Sequence, residues 1–381
     1  MAFLPFYVPA VTPDLVIVGG GYAGMAALAG FRRYCPKARI TLIDPGEHHL
    51  KITRLHEVFR TERASVRVPY AHLARRFDFR HLRAALPVDD DHLRKWGRES
   101  HVDVDGEQLP FDYLLIAVGV PYAAEAATDR LFSLYDVAGE EISRLVERLQ
   151  MIEHEQAVNV IGAGPTGLQF LFELAEFFRS RGRHPALRLI DADDRLLSRF
   201  SVAMGAYVED RLAELNVEVR MNTLFRAVED DTLLVENRST GQQKRLDAGL
   251  SFNFAGKRAR RLESNAYGQI VLDGAPLPRL FSAGDCTVYR GPGCNAMTAQ
   301  AAVRKGSLCA RNILRHAGGW KILEPYLHRE LGYVISLGRR DAVGWVGARC
   351  NVVAGSPAVV LKDLMETRHD LTLAGVNTYL P

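Results

Sequence analysis

With 381 residues, 48% of them hydrophobic and 24% charged, the chain can bury two or three soluble domains. A net charge of +3, with arginines spread along the chain, argues against nucleic acid as a partner. No run of about 18 apolar residues exists, so no spanning helix is expected. The opening MAFLPFYVPAVTP has no leading positive charge and is broken by prolines, unlike a signal peptide. Five cysteines, Cys35, Cys286, Cys294, Cys309 and Cys350, contain no C-x-x-C and fit reduced thiols in a cytoplasmic protein.

The first landmark is LVIVGGGYAGMAALAGFRRY, residues 15–34. Leu15 to Val18 read as a strand buried on both faces. Gly19, Gly21 and Gly24 follow in G-x-G-x-x-G spacing and run straight into an apolar helix. In such a unit Gly19 makes the tight turn and Gly21 lets a pyrophosphate approach the backbone. Gly24 lets the helix lie close on the sheet, its N–H groups aimed at phosphate. The next strand, RITLID, ends in Asp44, 20 residues after Gly24, where a carboxylate can accept ribose hydroxyls.

PGEHHLKITRLHEVFRTE then carries His48, His49 and His56, but no Cys or carboxylate cluster completes a metal set. A polar loop and a helix near the nucleotide is the favoured reading, and no metal is expected. Residues 66–104, rich in Arg, His and Asp, read as short strands and turns. FDYLLIAVGVP, residues 111–121, is an apolar strand ending at Gly119, which returns the chain toward the first phosphate site.

After a helical stretch at residues 140–154, VNVIGAGPTGLQFLFELAEFFRS repeats the opening device. Gly162, Gly164 and Gly167 make its turn, and Asp191 ends the following strand 24 residues later. Two complete fingerprints imply two dinucleotides, or one and a mimic. Residues 201–240 supply a helix and two strands that close a second nucleotide domain. SFNFAGKR, residues 251–258, reads as the strand that returns the chain to the first. The strand LFSAG ends at Gly284 and Asp285, and a helix over 297–314 begins after a Gly-Pro-Gly loop. Its N-terminus offers free N–H groups and a positive dipole end. Beyond Gly318 come strands and one short amphipathic helix, LKDLMETRHDLTL, with Leu361, Leu364 and Met365 as its apolar stripe.

This order resembles the two-dinucleotide-binding flavoproteins, the pyridine nucleotide-disulfide oxidoreductase-like group, and within it the type II NADH dehydrogenases. Sulfide:quinone oxidoreductases and relatives of apoptosis-inducing factor belong to the same group. VIVGGGYAG, DPGEHHLKITRLHEV, FDYLLIAVG, VIGAGPTGLQ, FSAGDC and AMTAQAAVRKG carry the resemblance. It implies an α/β chain of two Rossmann-like domains: an FAD domain (1–120 and 246–320) interrupted by an NAD domain (121–245). A strand-rich and helical C-terminal segment (321–381) follows. It further implies FAD on Gly19, Gly21, Gly24, Asp44, Gly119, Gly284 and Asp285, with Thr298 and Ala299 at the helix start facing the flavin. NAD(P)H falls on Gly162, Gly164, Gly167 and Asp191. Asp191 favours NADH over NADPH, with Arg188 and Arg195 as the cations that could reverse that choice.

The implied activity is hydride transfer from NAD(P)H to FAD, then electron transfer to a quinone-like small molecule, with Gln169 and Gln300 as candidate catalytic residues. Four departures mark the chain. Gln169 replaces the usual Glu after the second fingerprint. Arg304-Lys305-Gly306 replaces a paired Gln-Gln-Gly. No cysteine stands where sulfide chemistry needs one near the second fingerprint, and the apolar C-terminal anchor is reduced to one short helix. A redox-sensing, partner-binding flavoprotein and a specialised flavin oxidase are the alternative readings. Cys286 and Cys294 read first as small buried hydrophobes, with a redox role the rarer alternative. A cytoplasmic location is expected, with at most peripheral contact at the inner face of a membrane. A homodimer is compatible with the sequence.

Overall fold

The computed structural model describes residues 10–60, 66–120, 130–139, 142–152, 156–256 and 260–376. The opening segment 1–9, the domain switch at 121, the ends of the stretch 140–154 and Lys257-Arg258 of SFNFAGKR lie outside the described residues. Two sheets organise the rest. The first has eight strands, in the order Thr287–Tyr289, Leu262–Ser264, Gln269–Leu272, Ala275–Ser282, Tyr113–Ile116, Leu15–Val18, Ile40–Ile43 and Arg80–Leu82. The second has five: Glu218–Arg220, Ala186–Ile190, Ala157–Ile161, Leu250–Asn253 and Leu131–Ser133. The central strand of each is parallel to both neighbours, Leu15 opposite Ile40 and Tyr113, and Val158 opposite Leu187 and Leu250. Parallel strands covered by helices on both faces are apolar throughout, and Leu15–Val18 and Ala157–Ile161 are buried along their whole length.

The same backbone device starts both helices. Gly19 and Gly162 turn with φ of +100° and +106°, a region that favours glycine. A Cβ on Gly24 would overlap the carbonyl oxygen of Gly19, and one on Gly167 that of Gly162. The helices Tyr22–Tyr34 and Pro165–Arg179 therefore begin directly against the strand ends. The helix Ala299–Ala317, which starts two residues later and ends three residues later than the sequence pattern indicates, packs along Tyr22–Tyr34. Gly306 makes this approach possible, since a Cβ there would strike the carbonyl of Ala23.

Several segments differ from the sequence reading. Residues 66–104 hold two helices, Tyr70–Phe77 and Asp90–Glu99, besides short strands. Each helix buries a stripe of two or three residues, Tyr70, Leu73 and Phe77 or Leu93 and Trp96, at a helical interval easily lost among charges. Asp89 caps the second by accepting from the N–H of His92 at 2.9 Å. The strand Thr223–Glu229, missed in sequence, pairs with Thr232–Asn237 across a turn in which Asp230 is left-handed. The strand Leu250–Asn253, on the first-domain side of a boundary at 246, is paired within the second sheet.

The C-terminal segment forms an antiparallel sheet of Gly332–Ser336, Ala342–Val346 and Val352–Ala354, followed by the helix Ser356–Leu373. That helix is not short, and its apolar stripe is not its buried face. Leu364 is 65% and Met365 39% exposed, whereas Lys362 is 8% exposed. The inward side meets charged groups of the segment 51–57: Lys51 pairs with Asp370 at 2.6 Å and Arg54 with Glu366 at 3.1 Å. Ion pairing, together with burial of Ala358 and Leu373 near the two ends, docks this helix. No described helix is long and apolar enough to cross a membrane.

Gly306→Ala should lower the urea midpoint, at equal flavin occupancy, by a loss of about 1–3 kcal/mol from overpacking. An unchanged midpoint would mean that the two helices separate without penalty.

Candidate functional site

Ligands of open parallel sheets sit beyond the carboxyl ends of the strands. In the first sheet those ends bring together Gly19, the segment Ala117–Gly119 and the turn Gly284–Asp285. The N–H of Ala117 donates to Val18 at 2.7 Å and that of Ala283 to Ile116 at 2.9 Å. Gly21 caps the first helix in extended conformation, and a Cβ on it would meet nothing within 4 Å. Gly119 likewise faces open space. Asp44 accepts the N–H of Gly20 at 2.7 Å on Oδ2 and that of Gly46 at 2.8 Å on Oδ1. The buried Tyr70 hydroxyl also hydrogen-bonds to this carboxylate, which leaves one lone pair for a further donor such as a ribose hydroxyl.

The second sheet repeats this arrangement. Gly164 caps its helix in extended conformation with nothing near its Cβ position. Asp191 accepts from the N–H of Ala163 and, at 2.7 Å, from that of Asp193. Arg188 is held by Glu218 at 2.7 Å and by the Asn159 amide oxygen at 2.8 Å. Arg195 donates to backbone carbonyls of Ser198 and Phe200. The two cations that could favour a phosphate are thus engaged elsewhere.

Around the first crevice stand buried acceptors with no partner among the described residues. Asp285 Oδ1 and Gln300 Oε1 are among them. Burial pushes the Asp285 carboxyl above its usual range, against the opposing pull of Arg261 and Lys305. Thr298 caps the helix Ala299–Ala317, its hydroxyl accepting from the N–H of Ala301 at 3.2 Å, so Thr298, Ala299 and Gln300 form the helix entrance. An open glycine, a spare carboxylate valence and orphaned acceptors together fit a polar dinucleotide carrying hydroxyl and N–H donors.

Gln169 is placed differently. Its side-chain oxygen accepts the N–H of Ser336 at 3.3 Å and ties the second domain to the C-terminal sheet. Cys286 is buried against carbonyl oxygens of Ala283 and Ile116, and burial pushes its thiol up to about 11, which disfavours the reactive thiolate. Cys294 lines a surface cavity of about 230 Å³ with His328, Trp345 and Arg349. That cavity holds none of the fingerprint residues.

The surroundings of two groups escaped the sequence reading. His49 is fully buried, its Nδ1 2.9 Å from the carbonyl oxygen of Gly20 inside the first fingerprint and its Nε2 3.0 Å from His369 on the C-terminal helix. Tyr22 stacks on His369 at 4.2 Å. Close by, Lys362 lies 3.1 Å from Glu366 and 3.6 Å from Glu57, and Arg60 pairs with Glu173 at 2.7 Å. His49 was visible in the sequence, but its second partner stands on a helix 320 residues away. Lys305, fully buried beneath the Gly284–Thr287 turn, is the second group.

The sequence model of the pyridine nucleotide-disulphide oxidoreductase family matches residues 13–306. A type II NADH:quinone oxidoreductase of Staphylococcus aureus is 26% identical over 397 aligned positions, covering 95% of this chain and 96% of that protein. Among solved structures, NDH2 of Plasmodium falciparum in complex with NADH superposes with a TM-score of 0.75 at 14% identity, covering 96% of this chain and 97% of the other. The sulfide:quinone oxidoreductase of Aquifex aeolicus gives 0.75 at 19% identity, covering 95% and 92%. These two likenesses are of fold.

Burial lowers His49 to about 4 and His369 to about 3. The unfolded chain, with ordinary imidazoles near 6.5, binds more protons than the folded one between those values. Stability from this pair is complete above about pH 6.5 and is lost as pH falls toward 4. Glu173, pushed up to about 7 by burial, opposes this with one proton of the other sign. His369→Phe, which keeps a ring beside Tyr22, should flatten the acid limb of the denaturation profile by roughly one proton, about 1.4 kcal/mol per pH unit. Parallel profiles for variant and parent would contradict this.

Proposed function

The chain belongs to the pyridine nucleotide-disulphide oxidoreductase family, and from that premise we propose that it is an FAD-dependent oxidoreductase that takes a hydride from NADH and reduces a quinone. One observation carries the reading. The chain builds the same cradle twice, each with a strand-end acid, a glycine opening onto free space and a helix N-terminus. The name of the Staphylococcus aureus relative supports the choice of NADH as donor and a quinone as acceptor.

In this reading Gly21 and the start of Tyr22–Tyr34 receive the flavin dinucleotide's pyrophosphate, and Asp44 accepts from its ribose. Asp285 takes donors from the ribityl side. Gly164 and Asp191 perform the corresponding tasks for the nicotinamide nucleotide, where the carboxylate repels a 2′-phosphate. Bound there, FAD supplies the hydride acceptance and the onward electron transfer. The residues contribute position, water exclusion and a positive helix end at Thr298–Gln300 that favours negative charge. Gln300, with a buried unpartnered oxygen, is the side chain best suited to contact flavin or acceptor. Gln169, engaged with Ser336, acts on the packing of the nicotinamide domain and supplies no carboxylate. Val360 and Leu364, one turn apart and both exposed, support a peripheral contact with the lipid surface that holds a quinone.

The purified protein should be yellow, and anaerobic stopped-flow should resolve flavin reduction by NADH followed by reoxidation by a short-chain quinone. Reoxidation no faster than by oxygen alone would remove quinone as the acceptor. Gln300→Ala should slow reoxidation more than reduction, and the opposite pattern would place this residue at the NADH half-reaction.

NADH should be favoured over NADPH by about 1–3 kcal/mol, roughly 5- to 150-fold in kcat/KM. Asp191→Ala should erase most of that ratio. Equal efficiencies in the parent protein would show that Arg238, whose guanidinium lies 3.6 Å from Asp193, outweighs the acid.

A further inference from the structure

Lys305 is 1% exposed and has no carboxylate within ion-pair distance among the described residues. A buried ammonium is expensive unless its donors are satisfied. Its partners are the carbonyl oxygens of Thr287 at 3.0 Å and Gly284 at 3.5 Å, with the Tyr289 ring centroid 4.8 Å away. A second cation holds the same turn: Arg261 donates to the carbonyl oxygens of Asp285 at 2.7 Å and Thr287 at 2.6 Å. Two positive charges thus stand behind the one turn that presents Asp285 to the crevice. A neutral amide, as in the paired glutamines that this chain lacks, could donate to the same carbonyls without the charge.

We propose that Lys305 is a positioning residue of the flavin site, holding the Gly284–Thr287 turn while its buried positive charge makes the bound flavin easier to reduce. The proposal rests on the reading that the first cradle binds FAD. Reduction adds negative charge to the crevice, and a cation behind the turn lowers the free energy of that state in a medium of low dielectric constant. A hydrogen-bonding role alone predicts no such effect.

The charge is also titratable. Burial, then Arg261, lowers Lys305 to about 8, while Asp285, Cys286 and Cys309 act in the opposite direction. Tyr289 and Tyr326 complete its surroundings with their rings. Lys305 is therefore largely charged at neutral pH and loses its proton as pH rises through about 8. Because the reduced state favours the charged lysine, a tenfold coupling makes flavin reduction take up about half an additional proton in the pH unit above about 8, and the potential falls more steeply there.

The test is a dye-coupled potentiometric titration of FAD-loaded wild type, Lys305→Gln and Lys305→Arg from neutral to mildly alkaline pH. Lys305→Gln should keep its flavin yet shift the ratio of reduced to oxidised flavin affinity about tenfold, a potential about 30 mV lower at neutral pH for a two-electron couple. It should also show no steepening. Lys305→Arg, charged throughout, should hold the wild-type potential at neutral pH and lose the steepening. A wild-type potential in flavin-saturated Lys305→Gln overturns the proposal. If Lys305→Gln does not fold, a Lys305→Arg profile that steepens like the wild type overturns it instead. A wild-type protein unable to take up FAD would overturn the flavin reading itself, a result distinct from either.

Discussion

Each nucleotide cradle depends on the contact between the third glycine of a fingerprint and the carbonyl of the first. Gly24 lies against Gly19, and Gly167 against Gly162, with no room for a Cβ between them. That contact brings a helix N-terminus onto the end of a buried parallel strand, where its unpaired N–H groups can face a phosphate. The acids at Asp44 and Asp191 complete the arrangement from the neighbouring strand by accepting the N–H of Gly20 and Ala163, the residue after the first glycine in each unit. The carboxylate is therefore part of the turn, whatever it holds beyond it. Losing it should disturb the loop as well as the nucleotide.

This dependence explains why the two cradles were legible in the sequence. The glycines, the apolar run Leu15–Val18, the strand Ala157–Ile161 with its one polar residue Asn159, and the terminal acids are local, and their spacing is fixed by the turn itself. Element identity was clear where a strand is buried on both faces, as at Tyr113–Ile116. It was obscured where a helix uses few apolar residues, as at Tyr70–Phe77 and Asp90–Glu99. The C-terminal helix shows a different failure. Its apolar residues Leu364 and Met365 face outward because its inner face is matched to charges at Lys51 and Arg54, which no periodicity within the helix can reveal. His49 and His369 belong to the same class, being partners brought together only by the fold.

The departures from the family pattern acquire physical meaning in three dimensions. Gly306 of the Arg304-Lys305-Gly306 run gives the helix Ala299–Ala317 its close approach to Ala23. The cation before it reaches under the turn that carries Asp285. One triplet thus governs both how the first helix packs and what charge stands behind the crevice. Gln169, in place of a carboxylate, anchors Ser336 of the C-terminal sheet instead of offering a charge beside the second fingerprint. These replacements keep the scaffold of the two cradles and alter the electrostatics between them.

In the function proposed, the two cradles hold different nucleotides, FAD in the first and NADH in the second. Gly21 and Gly164 allow a direct comparison, because both are extended and both face empty space, so valine fits their backbone and fills only the ligand's volume. The measurement is the visible spectrum of purified Gly21→Val and Gly164→Val before and after anaerobic NADH. Gly21→Val should be colourless, whereas Gly164→Val should be yellow, bleached by dithionite and left oxidised by NADH. A Gly164→Val protein bleached by NADH at the wild-type rate, or a Gly21→Val protein that keeps its flavin, would contradict the account.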